Sequence, residues 1–357
     1  MKILINLPRK VLVSALTLSA AVAAFGVTAP SATAQEVTLK LHTFLPPVAN
    51  PVKTFMIPWI EKVQKESNGR IKVQGYWAQQ LGGKPPQLAD QVKDGVVDIV
   101  WTLPGYTPGR FPKTEVFELP FVHRNARSTT LALQDFFDKH LTDEYKDFHM
   151  LLPHAQQGFL FQTKFPVTKF EDLKDRKLRA PTRVGVWMLE EMGSVGIGLP
   201  LPQIPSALSK GVVEGVLLPY EIAPAVKTQD LVSYFTDLAQ PTPRLSTSIF
   251  TYLMNKASYD KLPPDLKTVI DNNARHSIAE WAGQNWEDIE VPGRKVVESK
   301  KKNKFSTLSE AETNKLRALQ KPVAERWFAE MKKIGVDGPA LMADAEALVK
   351  KYDEKNM

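Results

Sequence analysis

The chain has 357 residues, 43% of them hydrophobic, a formal charge of +7 and no cysteine. That length and apolar fraction allow a large core and two domains. The missing cysteines exclude disulfides and thiolate metal sites, and the mild basic excess carries no aromatic-interleaved patch that would suggest nucleic acid.

Lys2, Arg9 and Lys10 precede an apolar, small-residue run (11–27), and Ala32-Thr33-Ala34 fits a small-x-small cleavage site. Residues 1–34 therefore read as a secretory signal peptide cut before Gln35. Its loss lowers the formal charge from +7 to +4. No later stretch is apolar enough to span a bilayer, so the mature chain is expected to be soluble and exported.

VTLKLHTF (37–44) alternates like a strand, and apolar positions at helical spacing follow over 54–67. IKVQGYW (71–77) is a second strand, QLADQVKDG (87–95) a helix ended by Gly95, and VVDIVW (96–101) a third strand. This β-α-β-α-β order predicts an α/β domain with a largely parallel sheet. KLRAP (177–181), VGVWMLEEMG (184–193), IGLPL (197–201), IPSALSKG (204–211) and VVEGVLLP (212–219) repeat the alternation. QVKDGVVDIVW (91–101) and LSKGVVEGVLL (208–218) share the form helix, Gly, Val-Val, acid, strand. Two similarly built lobes follow from that likeness. Helical periodicity then runs over 265–290, with Pro292-Gly293 expected to kink or break it. KKKNK (300–304) reads as a solvated helix face. Two helices occupy 309–335, the first starting at Ser309 with Glu312 at capping-box spacing, and a last helix occupies 339–357.

Catalytic and cofactor motifs are missing. The six histidines show no HExxH or other close ligand spacing, and GSVGIG (193–198) lacks the GxGxxG order. There is no Walker loop and no GxSxG elbow. No cofactor and no metal is expected. An exported two-lobe α/β protein of this kind points to a binder of a small molecule in a cleft. A secreted hydrolase or lyase with dispersed carboxylates stays open as an alternative.

Six segments in order resemble the solute-binding proteins of TRAP (tripartite ATP-independent periplasmic) transporters. They are QQLGG (79–83), QVKDGVVDIV (91–100), FELPFV (117–122), DLKDRKLRAP (172–181), SALSKGVVEG (206–215) and YDKLPPDLK (259–267). The resemblance implies the two-lobe periplasmic binding protein fold, with hinge strands and a long interdomain helix. Lobe I would hold 35–156 plus about 244–285, and lobe II 157–243 plus about 286–357. It implies a periplasmic receptor, acting as a monomer, that captures an organic acid and hands it to the small and large membrane subunits of a permease. A C4-dicarboxylate binder of the same family, or a receptor for an ABC importer or a sensor, are the alternatives within that fold.

Arg179, inside KLRAP, aligns with the arginine that holds the ligand carboxylate in this family, and Pro181 fixes the chain direction after it. Guanidinium is a permanent cation whose planar fork grips a carboxylate through two bonds. The rest of the expected pocket departs from the family's polar members. Phe159 stands where many have a second arginine, Leu218 where many have asparagine, and Leu103 and Tyr106 where sialic-acid binders have an acid and an arginine. Phe250 replaces a glutamine. With Trp101, these residues make an apolar wall that leaves a second carboxylate or a sugar unpaired, at about 1–3 kcal/mol per polar group. The expected ligand is therefore an organic monocarboxylate with an aromatic or apolar body: an aryl carboxylate, a mandelate-like acid or a branched 2-oxo acid. The hydroxyls of Thr102, Thr182 and Tyr106 are candidates for a 2-hydroxy or 2-oxo group. Tyr220 and Glu221 follow the same strand end, with Glu221 open to a second hydroxyl or a cation.

Overall fold

Eleven strands form two mixed sheets, seen in a computed structural model that describes residues 37–354. The expected signal peptide and its cleavage site lie outside the described residues. In chain order the strands are β1 (Val37–Thr43), β2 (Ile71–Tyr76), β3 (Ile99–Thr102), β4 (Phe148–Ala155), β5 (Leu160–Thr163), β6 (Lys177–Ala180), β7 (Val195–Gly198), β8 (Gly215–Leu218), β9 (Tyr234–Asp237), β10 (Ile249–Asn255) and β11 (Lys304–Thr307). One sheet runs β2-β1-β3-β10-β4 and the other β11-β9-β5-β8-β6-β7.

The likeness between 91–101 and 208–218 reaches the level of individual hydrogen bonds. Gly95 and Gly211 end their helices at φ +72° and +71°, a left-handed conformation costly for any side chain. Val96 N–H donates back to the Gln91 carbonyl, and Val212 N–H to that of Ala207, each at 2.9 Å. The acid that follows receives the neighbouring strand in both: Asp98 accepts from Lys40 N–H, and Glu214 from Lys177 N–H. From there five strands of each sheet correspond, with β11 an addition at the edge of the second. Parallel β2-β1-β3 then antiparallel β10 and β4 match parallel β7-β6-β8 then antiparallel β5 and β9.

Several expectations need correction. The sheets are mixed rather than largely parallel, because β10 and β5 each insert antiparallel beside β3 and β8. Those two strands, with β4, β9 and β11, show no clear alternation in sequence because they are buried on both faces or only four residues long. Residues 96–98 and 212–214 form the turn after each glycine, so β3 and β8 begin three residues later than the periodicity suggests. The helical stretch over 265–290 is three pieces, Pro264–Asn272, His276–Asp288 and Glu290–Glu298, interrupted first at Arg275 with φ +49°. Pro292-Gly293 does not break it. Pro292 sits in the first turn of Glu290–Glu298, where its missing N–H costs nothing. KKKNK is a turn leading into β11, with Lys300 paired to Asp230 at 2.8 Å. Ser309 caps its helix through Glu312 N–H, but the Glu312 carboxylate accepts from Phe170 N–H instead of closing the capping box. No helix among the described residues is long and apolar enough to cross a membrane.

Candidate ligand-binding site

Arg179 lies in β6, hydrogen-bonded to β7 on one side and β8 on the other, so its side chain alternates away from Leu178 and Ala180. It is 1% exposed. Nε donates to the Leu199 carbonyl at 2.8 Å and Nη1 to the Leu217 carbonyl at 3.3 Å. The Tyr106 phenol hydrogen-bonds to it, and no ion pair joins it to a carboxylate among the described residues. Burial lowers the guanidinium pKa to about 10, which still leaves it charged at neutral pH. The Tyr106 hydroxyl is held in place by the Leu201 N–H at 2.9 Å.

Arg183, four residues on, is the useful contrast. Its guanidinium grips Glu115 through three contacts of 2.7–3.0 Å and reaches Glu330 at 3.5 Å. One arginine of the segment is paired with carboxylates within the protein, and the other is buried with two carbonyls and the Tyr106 phenol but no carboxylate bonded to it. A buried cation in that state is stabilised by an anion brought from outside.

A cavity of about 30 Å³ opens beside Arg179. That is room for a water or two, so the walls stand close together and a ring-sized ligand must part them to enter. Of the residues expected there, Trp101, Leu103, Tyr106 and Phe159 line it from the first half of the chain, and Pro181, Leu218 and Phe250 join Arg179 from the second. The aromatic wall is ordered. Trp101 stacks on Phe250 with centroids 4.4 Å apart and planes 7° apart, and Phe44 tilts against both Trp101 and Tyr106. The indole Nε1–H of Trp101 donates to His154 Nε2 at 2.8 Å, so its polar edge is satisfied away from the cavity. Burial holds His154 down at a pKa of about 3, which keeps that nitrogen a free acceptor.

Three expected residues do not line the cavity. Thr182 spends its hydroxyl capping the helix Arg183–Glu191, accepting from Gly185 N–H at 3.3 Å. Thr102 is buried in β3 opposite Thr251. The Tyr220 ring lies between Arg244 and Arg294, and its hydroxyl donates to Asp237.

Sequence reasoning missed Phe44, Leu45, Pro51, Gln156, Leu201, Ile222 and Ser248. Phe44 and Leu45 directly follow β1, as Leu103 follows β3 and Pro181 follows β6, so the rule that ligands sit at strand carboxyl ends would have found them. Gln156 and Ser248 come from segments joining the two sheets, for which the sequence carries no periodic signal. Glu221 also lines the cavity. Its carboxyl is raised well above the usual range, by burial first and by the Glu290 carboxyl second.

Comparison with known proteins bears on the family and the fold. A family model described as bacterial extracellular solute-binding protein, family 7 (DctP), matches residues 45–331. A TRAP solute binding protein from a marine metagenome, specific for aromatic acid ligands and solved with metahydroxyphenylacetate, is 44% identical, covers 89% of this chain and 100% of its own, and superposes with a TM-score of 0.87. One from Rhodoferax ferrireducens, solved with copurified benzoate, is 40% identical over 90% of this chain and 99% of its own, at 0.87. A third, from Bordetella bronchiseptica with bound (R)- and (S)-mandelate, is 29% identical over 88% of this chain and 99% of its own, at 0.79. The motifs, the two matched sheets and the family match over most of the chain lead to one conclusion: the protein belongs to family 7 of the bacterial extracellular solute-binding proteins, the receptors of TRAP transporters.

Proposed function

We propose that this receptor captures an aromatic monocarboxylate, with Arg179 as the carboxylate anchor and the Trp101–Phe250 stack, Phe159, Leu103 and Leu218 as the wall that takes the ring. The observation that carries this reading is Arg179 itself, buried and charged with only two carbonyls and a phenol around it. A ligand carboxylate meets that need through two parallel charge-assisted bonds, while the ring gains about 25 cal/mol for each Å² of apolar surface it buries. Relatives solved with benzoate, metahydroxyphenylacetate and mandelate support the same ligand class.

In this reading the chain is exported to the periplasm, loses residues 1–34, and acts as a monomer. Lobe I comprises 35–156 plus about 244–285, and lobe II 157–243 plus about 286–357. The lobes part to admit the acid, close on it, and present it to the small and large permease subunits.

A thermal-shift screen of the chain from Gln35 tests it. Ligand at 100 times its Kd stabilises by about 2.7 kcal/mol, a shift of a few degrees. Benzoate, hydroxyphenylacetate or mandelate should raise Tm, and succinate and sialic acid should not. A shift with succinate or sialic acid alone would overturn the aromatic wall.

A further inference from the structure

Glu221 is the acid among the residues that line the cavity, and Arg179 is the base. The two are not paired. The Glu221 side chain is 3% exposed, and its Oε2 is buried without a hydrogen-bond partner among the described residues. The backbone around it is fixed from both sides. Its N–H donates to Glu290 at 2.8 Å, and its carbonyl accepts from Asn50 Nδ2 at 3.0 Å. So the backbone that carries the carboxyl is held in place.

A buried carboxyl with an orphaned oxygen costs stability, and nothing among the described residues recovers it. An ionised Glu221 would also repel the acid that Arg179 attracts. The Glu290 carboxyl, held by Arg244 at 3.1 Å, is the charged group that acts on Glu221, and it carries the same sign. A carboxyl in these surroundings keeps its proton. It then offers one O–H donor and one carbonyl acceptor into an otherwise apolar chamber, which is the pairing that a hydroxyl group completes.

We infer that Glu221 is the specificity-determining residue for a ring hydroxyl, so that the site selects hydroxylated aromatic acids over their unsubstituted parents. This rests on the aromatic monocarboxylate reading above and adds the far end of the ligand to it. A site built to hydrogen-bond a hydroxyl discriminates strongly against the analogue lacking one, because the protein's own buried group is then left unpaired.

The test is calorimetric titration of the wild type, Glu221→Gln and Glu221→Leu with benzoate, its three monohydroxy isomers and 3-(aminomethyl)benzoate, with Tm recorded for each variant. At least one hydroxybenzoate should bind the wild type about tenfold or more tighter than benzoate. That advantage should persist in Glu221→Gln, whose amide still donates and accepts, and should vanish in Glu221→Leu while benzoate binds that variant as well as or better than the wild type. The inference is overturned if benzoate binds as tightly as every hydroxybenzoate, if the hydroxyl advantage survives in Glu221→Leu, or if the ammonium-bearing acid is preferred, which would mean an ionised Glu221. Failure of all five acids to bind the wild type would instead overturn the aromatic monocarboxylate reading itself. Should Glu221→Leu not fold, the Gln variant and the wild-type ligand series still decide.

Discussion

Arg179 and Arg183 share a segment and differ in what surrounds them, and that difference separates binding from architecture. Arg183→Ala leaves Glu115, already raised by burial, without its bidentate partner. Removing one member of such a pair costs about 3 kcal/mol, which chemical denaturation would read as a lowered midpoint. Arg179→Met removes a buried charge that has no anion to lose, offset by two carbonyls that lose a donor. Its stability should stay within about 1.5 kcal/mol of wild type by the same denaturation measurement. At the wall, Phe159→Arg introduces a second cation into the cavity. Succinate should then bind and benzoate should weaken by about tenfold or more, both visible by calorimetry. An unchanged preference would remove Phe159 from ligand contact.

The elements carry the site by their ends. β1, β3, β6 and β8 all deliver residues to the cavity at their carboxyl ends, two from each sheet. The helix Glu290–Glu298 braces one of those ends. Glu290 accepts from the Tyr220 and Glu221 N–H groups, and Gly293 lies so close that a Cβ there would meet the Tyr220 carbonyl and stand 2.7 Å from Glu221 Cα. Gly293→Ala should therefore cost about 1–3 kcal/mol by thermal denaturation, and should also weaken ligand binding because the 220–222 segment must move. A fully stable variant with unchanged affinity would contradict that brace. Much of this was legible in sequence. The repeated helix-Gly-Val-Val-acid pattern gave both lobes, because a left-handed glycine cap and a buried strand leave strong local signals. Arg179 was legible from its motif. β10, β4 and the cavity residues Gln156 and Ser248 were not, since a strand buried on both faces has no alternation and its pairing is decided by distant chain. Thr182 looked available for ligand, although a threonine just ahead of the helix expected over 184–193 is also where an N-cap belongs, and the cap claims its hydroxyl.

At the scale of the whole molecule the two sheets are one design used twice, and the site breaks the symmetry. The register places His42 in β1 where β6 has Arg179, since Leu41 faces Ile99 as Leu178 faces Gly215. Burial lowers the His42 pKa and the ring is bonded to Gln91, so the first sheet carries an imidazole where the second carries the guanidinium that lines the cavity. Glu118, whose carboxyl accepts from Ile249 N–H, is buried and pushed up to about 8 by desolvation and by Glu115. The folded form keeps a proton that the unfolded chain gives up near the ordinary carboxyl value. Its contribution is therefore fully present below about pH 4.5 and lost as pH rises through about 8. Tm of the wild type relative to Glu118→Gln should fall over that window and level off above it. A constant difference would mean that Glu118 is ionised in the folded protein. The central claim, that Arg179 holds the ligand carboxylate, is tested most directly by titrating benzoate into the wild type and into Arg179→Lys. A lysine keeps the charge and loses the planar fork, so the account predicts a Kd at least about a hundredfold weaker with Tm of the free protein little changed. Equal affinity in the two proteins would contradict it.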